Sequence, residues 1–291
     1  MPSACVSVTI LLLCFSIFFV FPGLRNVYGL AIFSNGEKPF GKSYDNWASE
    51  YWNKWLAKSA AQATPRPIGC LVANNDYKSE SMVMLMHPAD VNFPPVQTCQ
   101  ISSNQGIIIP LWIGWADHDT PASCQVSNLA ECAKRQNLGN IASNVKVDGT
   151  PLATLDVRLS VIPGSGSLDY KINSLTNVTQ STSKVFTLTI PSNSVEIPNN
   201  VAGTWQAASD GWWVFLKPLT PGQHTISYNV RVTPTGTITS PGTIPHFADV
   251  TYNLQVVNHV WYGVTHKSRV CQIINLNLIS CFDSIPGICA C

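Results

Sequence analysis

Residues 209–230 constrain this chain more than any other stretch. They read SDGWWVFLKPLTPGQHTISYNV. Trp212, Trp213, Val214, Phe215 and Leu216 form an apolar run rich in aromatic and β-branched side chains. Pro218, Pro221 and Gly222 break it, and Thr225, Ile226, Tyr228 and Val230 resume with partial alternation. A run, a tight turn and an alternating run predict two strands of a sheet with one buried face. Asp210-Gly211, just ahead of the run, reads as a turn.

The rest of the chain repeats this grammar. Residues 82–86, 96–101 and 107–112 are apolar or β-branched runs bounded by turn residues. Residues 144–147 and 152–159 flank Asp148-Gly149, a strong tight-turn pair, and predict a hairpin. Residues 184–190 and 248–256 alternate, with Val250, Tyr252, Leu254 and Val256 on one face. Residues 164–180 and 233–245, rich in Ser, Thr, Gly or Pro, read as surface loops. Strands this numerous, joined by Pro/Gly turns, predict a mainly β protein: an antiparallel β-sandwich, jelly-roll or immunoglobulin-like.

Two segments read as helix. Residues 43–61 (SYDNWASEYWNKWLAKSAA) carry Ser43 as a cap and Asp45 in the first turn, where the helix dipole favours an anion. Tyr44, Trp47, Ala48, Tyr51, Trp52, Trp55 and Leu56 recur at helical spacing as one apolar stripe. Such a stripe packs on a sheet more often than it forms a sugar or lipid platform. Residues 127–138 predict a short second helix.

The N-terminus reads as a targeting segment. Residues 8–21 are almost wholly apolar, Pro22 and Gly23 end the run, and small residues follow at Gly29 and Ala31. This is the layout of a secretory signal peptide, assigned to residues 1–29. The run is shorter than the roughly 20 residues a spanning helix needs, so the chain meets a membrane only if that segment stays uncleaved. Eight cysteines follow it: Cys70, Cys99, Cys124, Cys132, Cys271, Cys281, Cys289 and Cys291. An even count in a secreted chain predicts disulfides, although sequence alone leaves 105 complete pairings open. No CxxC pair supports a zinc site.

The charge balance is +1, from 17 cationic and 16 anionic side chains. With no basic stripe, nucleic acid is excluded as an expected partner. The sandwich is assigned to residues 43–257. Residues 258–291, rich in cysteine and without a clean strand period, form a tail of no assigned role.

These residues resemble a family of secreted bacterial and archaeal β-sandwich proteins with no established activity. The elements that carry the resemblance are WASEYWNKWL, the Cys70 and Cys99 pair, residues 107–111, the Cys124 and Cys132 pair, VDGTPL at 147–152, SDGWW with LKPLTPGQHTI, and DVTYNLQV at 249–256. They cover roughly residues 44–257. The resemblance implies a β-sandwich outside the cytoplasm and brings no catalytic residues with it. The same elements suggest that Cys70 bonds Cys99 and Cys124 bonds Cys132, the former because antiparallel neighbours would bring them together.

Two functional readings follow. In the leading one the chain is a secreted or cell-surface noncatalytic binding or structural module. Its partner is a carbohydrate or other cell-surface ligand, stacked on aromatics such as Trp115 or Trp205. In the second, Asp117, His118 and Asp119 hold a metal in a loop after a strand and serve an extracellular hydrolase or lyase. GxSxG and HExxH motifs are both missing. The sequence names no cofactor.

Overall fold

The computed structural model describes residues 30–57, 71–72, 81–85, 96–117, 126–194, 202–233, 246–258, 262–265, 269–275 and 278–283. The segment assigned as signal peptide lies outside the described residues.

Two six-stranded sheets build the fold. The first has the order β1 (Leu71–Val72), β2 (Met82–Met84), β4 (Gly106–Asp117), β10 (Gly203–Leu216), β8 (Thr179–Thr182), with β9 (Phe186–Ile190) also paired to β10. The second has the order β3 (Val96–Ser102), β12 (His246–Val257), β11 (Gly222–Thr233), β5 (Gly139–Val147), β6 (Thr150–Val161), β7 (Leu168–Thr176). Both contribute to one apolar core. The expected β-sandwich is therefore present. Most pairings are antiparallel, but β2 with β4 and β3 with β12 are parallel.

The aromatic helix is α1 (Tyr44–Leu56), and its stripe is core. Trp47, Tyr51, Trp52 and Trp55 are all buried. Tyr44 packs on Phe215 with ring centroids 4.4 Å apart, and Tyr51 meets the edge of Trp213 at 5.3 Å. Trp52 donates its indole N–H to Ser209 Oγ at 2.8 Å. Ser43 stands at the cap position, but its side chain makes no capping bond. The polar side of α1 has a task too. Asn53 donates to the Thr187 carbonyl at 3.0 Å, and its side-chain oxygen lies 3.3 Å from the Thr189 N–H. One amide thus stands in for a missing strand along the edge of β9, which would otherwise offer unpaired backbone to another chain.

The second helix, α2 (Leu129–Arg135), follows a 3-10 turn and packs on β4 and β10. Small residues let it approach: Ala116, Ala133 and Ala208 share a cluster with Leu129 and Cys132.

Local pattern misled at three places. Asp210-Gly211 is no turn, since both residues lie inside β10, paired with Gly114 and Ile113 of β4. Glycine is required at 211 because a Cβ there would sit 2.7 Å from the Trp112 carbonyl oxygen. Residues 164–180 are not a loop throughout. They contain β7 and β8, with β7 at the sheet edge and largely exposed, so no alternation marks it. Strand β4 runs past residue 112 to Asp117, so Trp115-Ala116-Asp117 is strand rather than the start of a loop.

Asp148-Gly149 does form the expected turn between β5 and β6, both residues at positive φ, +50° and +78°. In the tail, β13 (Tyr262–Thr265), β14 (Arg269–Asn275) and β15 (Leu278–Asp283) form a three-stranded antiparallel sheet whose strands pair only with one another. The strand period not evident in the tail sequence is thus present in its backbone.

Candidate functional site

Of the residues singled out from sequence as a site, Trp115, Asp117 and Trp205 lie among the described residues, on the paired strands β4 and β10. Trp115 sits on β4 opposite Ser209, half-buried, with its ring 4.4 Å from that of Trp52. Trp205 sits on β10 opposite Leu188, half-buried and packed on the core. Asp117 ends β4 opposite Ala207 and is buried. His118 and Asp119 lie outside the described residues. Among the described residues, no three His, Cys, Asp or Glu side chains gather to hold a metal. Cys99 on β3 and Cys132 on α2 are each disulfide-bonded. Cys70 and Cys124, expected as their partners, lie outside the described residues.

Two polar clusters arise from pairing that sequence did not reveal. In the first, Asp210 is fully buried in the middle of β10. Its carboxylate accepts from Thr182 Oγ1 at 2.6 Å and from Asn137 Nδ2 at 2.9 Å, and its carbonyl accepts from the same amide at 3.0 Å. Burial pushes the Asp210 carboxyl above its usual range, while the Thr182 and Asn137 hydrogen bonds and the charge of Lys134 pull it back. Burial, then the nearby Asp210 charge, raises the Tyr170 phenol to about 12. The cluster ties the segment after α2 to β8 and β10.

In the second cluster, Asp148 Oδ2 lies 2.7 Å from His224 Nδ1, and Asp148 Oδ1 accepts the Thr225 N–H at 2.8 Å. The Thr220 hydroxyl is 3.4 Å from His224 Nε2, so the set resembles a nucleophile, base and orienting acid. The hydrogen-bond accounting removes that resemblance. His224 Nε2 is closer to the Thr220 carbonyl, at 2.8 Å. A carbonyl only accepts, so Nε2 donates there and keeps no lone pair to take a hydroxyl proton. The cluster instead clamps the β5–β6 turn to the start of β11.

An open concavity lies elsewhere, on the outer face of the second sheet. It is a depression of about 290 Å³ lined by Val96, Asn144, Lys146, Ser227, Asn229, Asp249 and Thr251, with backbone of Tyr228 and Val250 in its floor. Register builds it. Thr251, Ser227 and Lys146 face one another across β12, β11 and β5, and Asp249, Asn229 and Asn144 form the next row. Asn229 Oδ1 accepts the Asn144 N–H at 3.0 Å, and the Asn229 carbonyl accepts from Ser143 Oγ at 2.6 Å. A bulge beside this pair, between Val145 and Lys146 on the β6 side, adds to the local twist. One row further, Phe247 is 54% exposed, with Arg231 over its ring at 5.6 Å. Arg231 is paired with Asp249 at 3.1 Å.

Sequence reasoning missed Phe247, although a signal was there. Val250, Tyr252, Leu254 and Val256 point inward, so the odd-numbered positions Phe247, Asp249 and Thr251 must point out.

The class of protein that fold and face define is a two-sheet β-sandwich with one sheet covered and the other partly open. No family model and no curated protein matches the chain. Among solved structures, a cysteine protease inhibitor from Entamoeba histolytica is similar over 61% of this chain and 96% of that one, at 16% identity and a TM-score of 0.19. A similarity that slight carries no inference about this chain.

Proposed function

We propose that this chain is a secreted or cell-surface, noncatalytic module that binds carbohydrate on the outer face of its second sheet. The observation that carries the reading is the depression lined by side-chain amides and hydroxyls, with Phe247 and Val96 exposed beside them. Amides and hydroxyls bond sugar hydroxyls directionally, and exposed apolar groups pack on the C–H faces of sugar rings. The apolar N-terminal run and the cysteine content support an extracytoplasmic setting. With Cys99 and Cys132 already bonded, we propose Cys70 and Cys124 as their respective partners. The ligand-stacking role first considered for Trp115 and Trp205 passes to Phe247.

The test is binding of soluble oligosaccharides by calorimetry, before and after chelation. Binding that survives chelation, and weakens at least fivefold in Phe247→Ala while the denaturation midpoint holds, supports the reading. Release of reducing ends that chelation abolishes would overturn it in favour of a metal-assisted hydrolase at Asp117, His118 and Asp119.

A further inference from the structure

We infer that the depression selects acidic saccharides, with a sugar carboxylate docked on Lys146. The inference rests on the proposed binding face and specifies its ligand. Three charges stand at the depression and its border, while Asp156 and Arg158 lie further out on the same face. Asp249 and Arg231 neutralise each other, since the guanidinium reaches both carboxylate oxygens, at 3.3 and 3.1 Å. Lys146 is the charge left over, and among the described residues it has no ionic partner. It does not reach Asp249: they stand two strand spacings and two residues apart, roughly 12 Å along the diagonal. Between them lie Ser227, Asn229, Asn144 and Thr251, neutral groups able to give and accept hydrogen bonds.

The depression therefore carries one uncompensated cation at one corner, with an exposed ring, Phe247, beyond the opposite corner. By the same spacings these are roughly 16 Å apart. A ligand complementary to all of it bears an anion at one end, hydroxyls along its length and an apolar ring face at the other. A chain of sugars with a uronic acid unit has those features, and it is longer than a single ring. A neutral glycan would leave Lys146 unanswered. A highly charged polyanion would meet only one free cation and would crowd Asp249.

Calorimetry with a neutral oligosaccharide chain that bears a single uronic acid unit, and with its methyl-ester form, tests this on the full chain. The acid should bind at least tenfold more tightly than the ester at low salt, and the preference should shrink as ionic strength rises. Lys146→Gln should abolish the preference, bringing acid and ester to the same affinity, while the denaturation midpoint holds, and Lys146→Arg should retain it. Equal binding of acid and ester overturns the acidic selectivity and leaves the binding module standing. A preference that survives Lys146→Gln also overturns it, because the anion would then dock elsewhere. Failure of both forms to bind counts against this inference; failure of neutral oligosaccharides as well counts against the binding module.

Discussion

Strands β10 and β11 are neighbours in sequence and opposites in environment. From Ala207 to Leu216 every residue of β10 is buried. Along β11, from Ile226 to Thr233, buried residues alternate with partly or fully exposed ones. The first strand is covered by α1 through Ser209 and Trp213 and by α2 through Ala208. The second buries Ile226, Tyr228, Val230 and Val232 and turns Ser227, Asn229 and Arg231 outward. A strand covered on two faces serves the core, while one with a free face has side chains to spare for a ligand. Change in β10 should therefore be expensive in stability, and change on the outer face of β11 and its neighbours should be cheap.

The sharpest way to break that contrast is Trp52→Ala. It removes a buried aromatic and its bond to Ser209, and should cost on the order of 3–5 kcal/mol. An unchanged urea midpoint would show that α1 is not part of the core.

Asp210 comes next. Asp210→Leu leaves the Thr182 hydroxyl and one of the two Asn137 hydrogen bonds without an acceptor and should cost about 1–3 kcal/mol. Asp210→Asn keeps a carbonyl for Asn137 and should cost less. The carboxyl is raised in the folded state, so the native protein holds this proton more tightly than the unfolded chain does. The associated stability is complete at low pH and is lost as pH climbs from about 4 through the folded value. Asp210→Asn should remove that fall. Stability curves of equal slope in wild type and variant would refute the assignment.

Asn53→Ala uncovers the edge of β9 and should cost about 1 kcal/mol. Concentration-dependent association, read by sedimentation, should accompany the loss. The smallest effect is expected where function is proposed. Ser227→Ala with Thr251→Ala should shift stability by less than about 0.5 kcal/mol yet weaken oligosaccharide binding. A large stability loss here would make the outer face structural and end the contrast with β10.

How far the sequence could be read follows from the range of each signal. The stripe of Trp47, Tyr51, Trp52 and Trp55 was legible because helical spacing is local. The Asp148-Gly149 turn was legible because few residue pairs tolerate positive φ at two successive positions. Strand β7 was not, because an exposed edge strand needs no alternation. Asp210-Gly211 was misread because turn propensity is a weak local preference, overridden here by pairing with β4 and by the cover of α2.

The sequence by itself determined that the chain is mainly β, that one aromatic helix is core, and which side of β12 faces inward. These follow from hydrophobic periodicity, a property of neighbours in the chain. Only the tertiary structure decided that Lys146, Ser227 and Thr251 share a row, that Asn137 reaches Asp210, and that Asn53 closes the edge of β9. Each of these depends on register and packing between segments distant in sequence. Register is settled by the fit of whole faces, and a shift of one residue would turn every side chain of a strand to the other side.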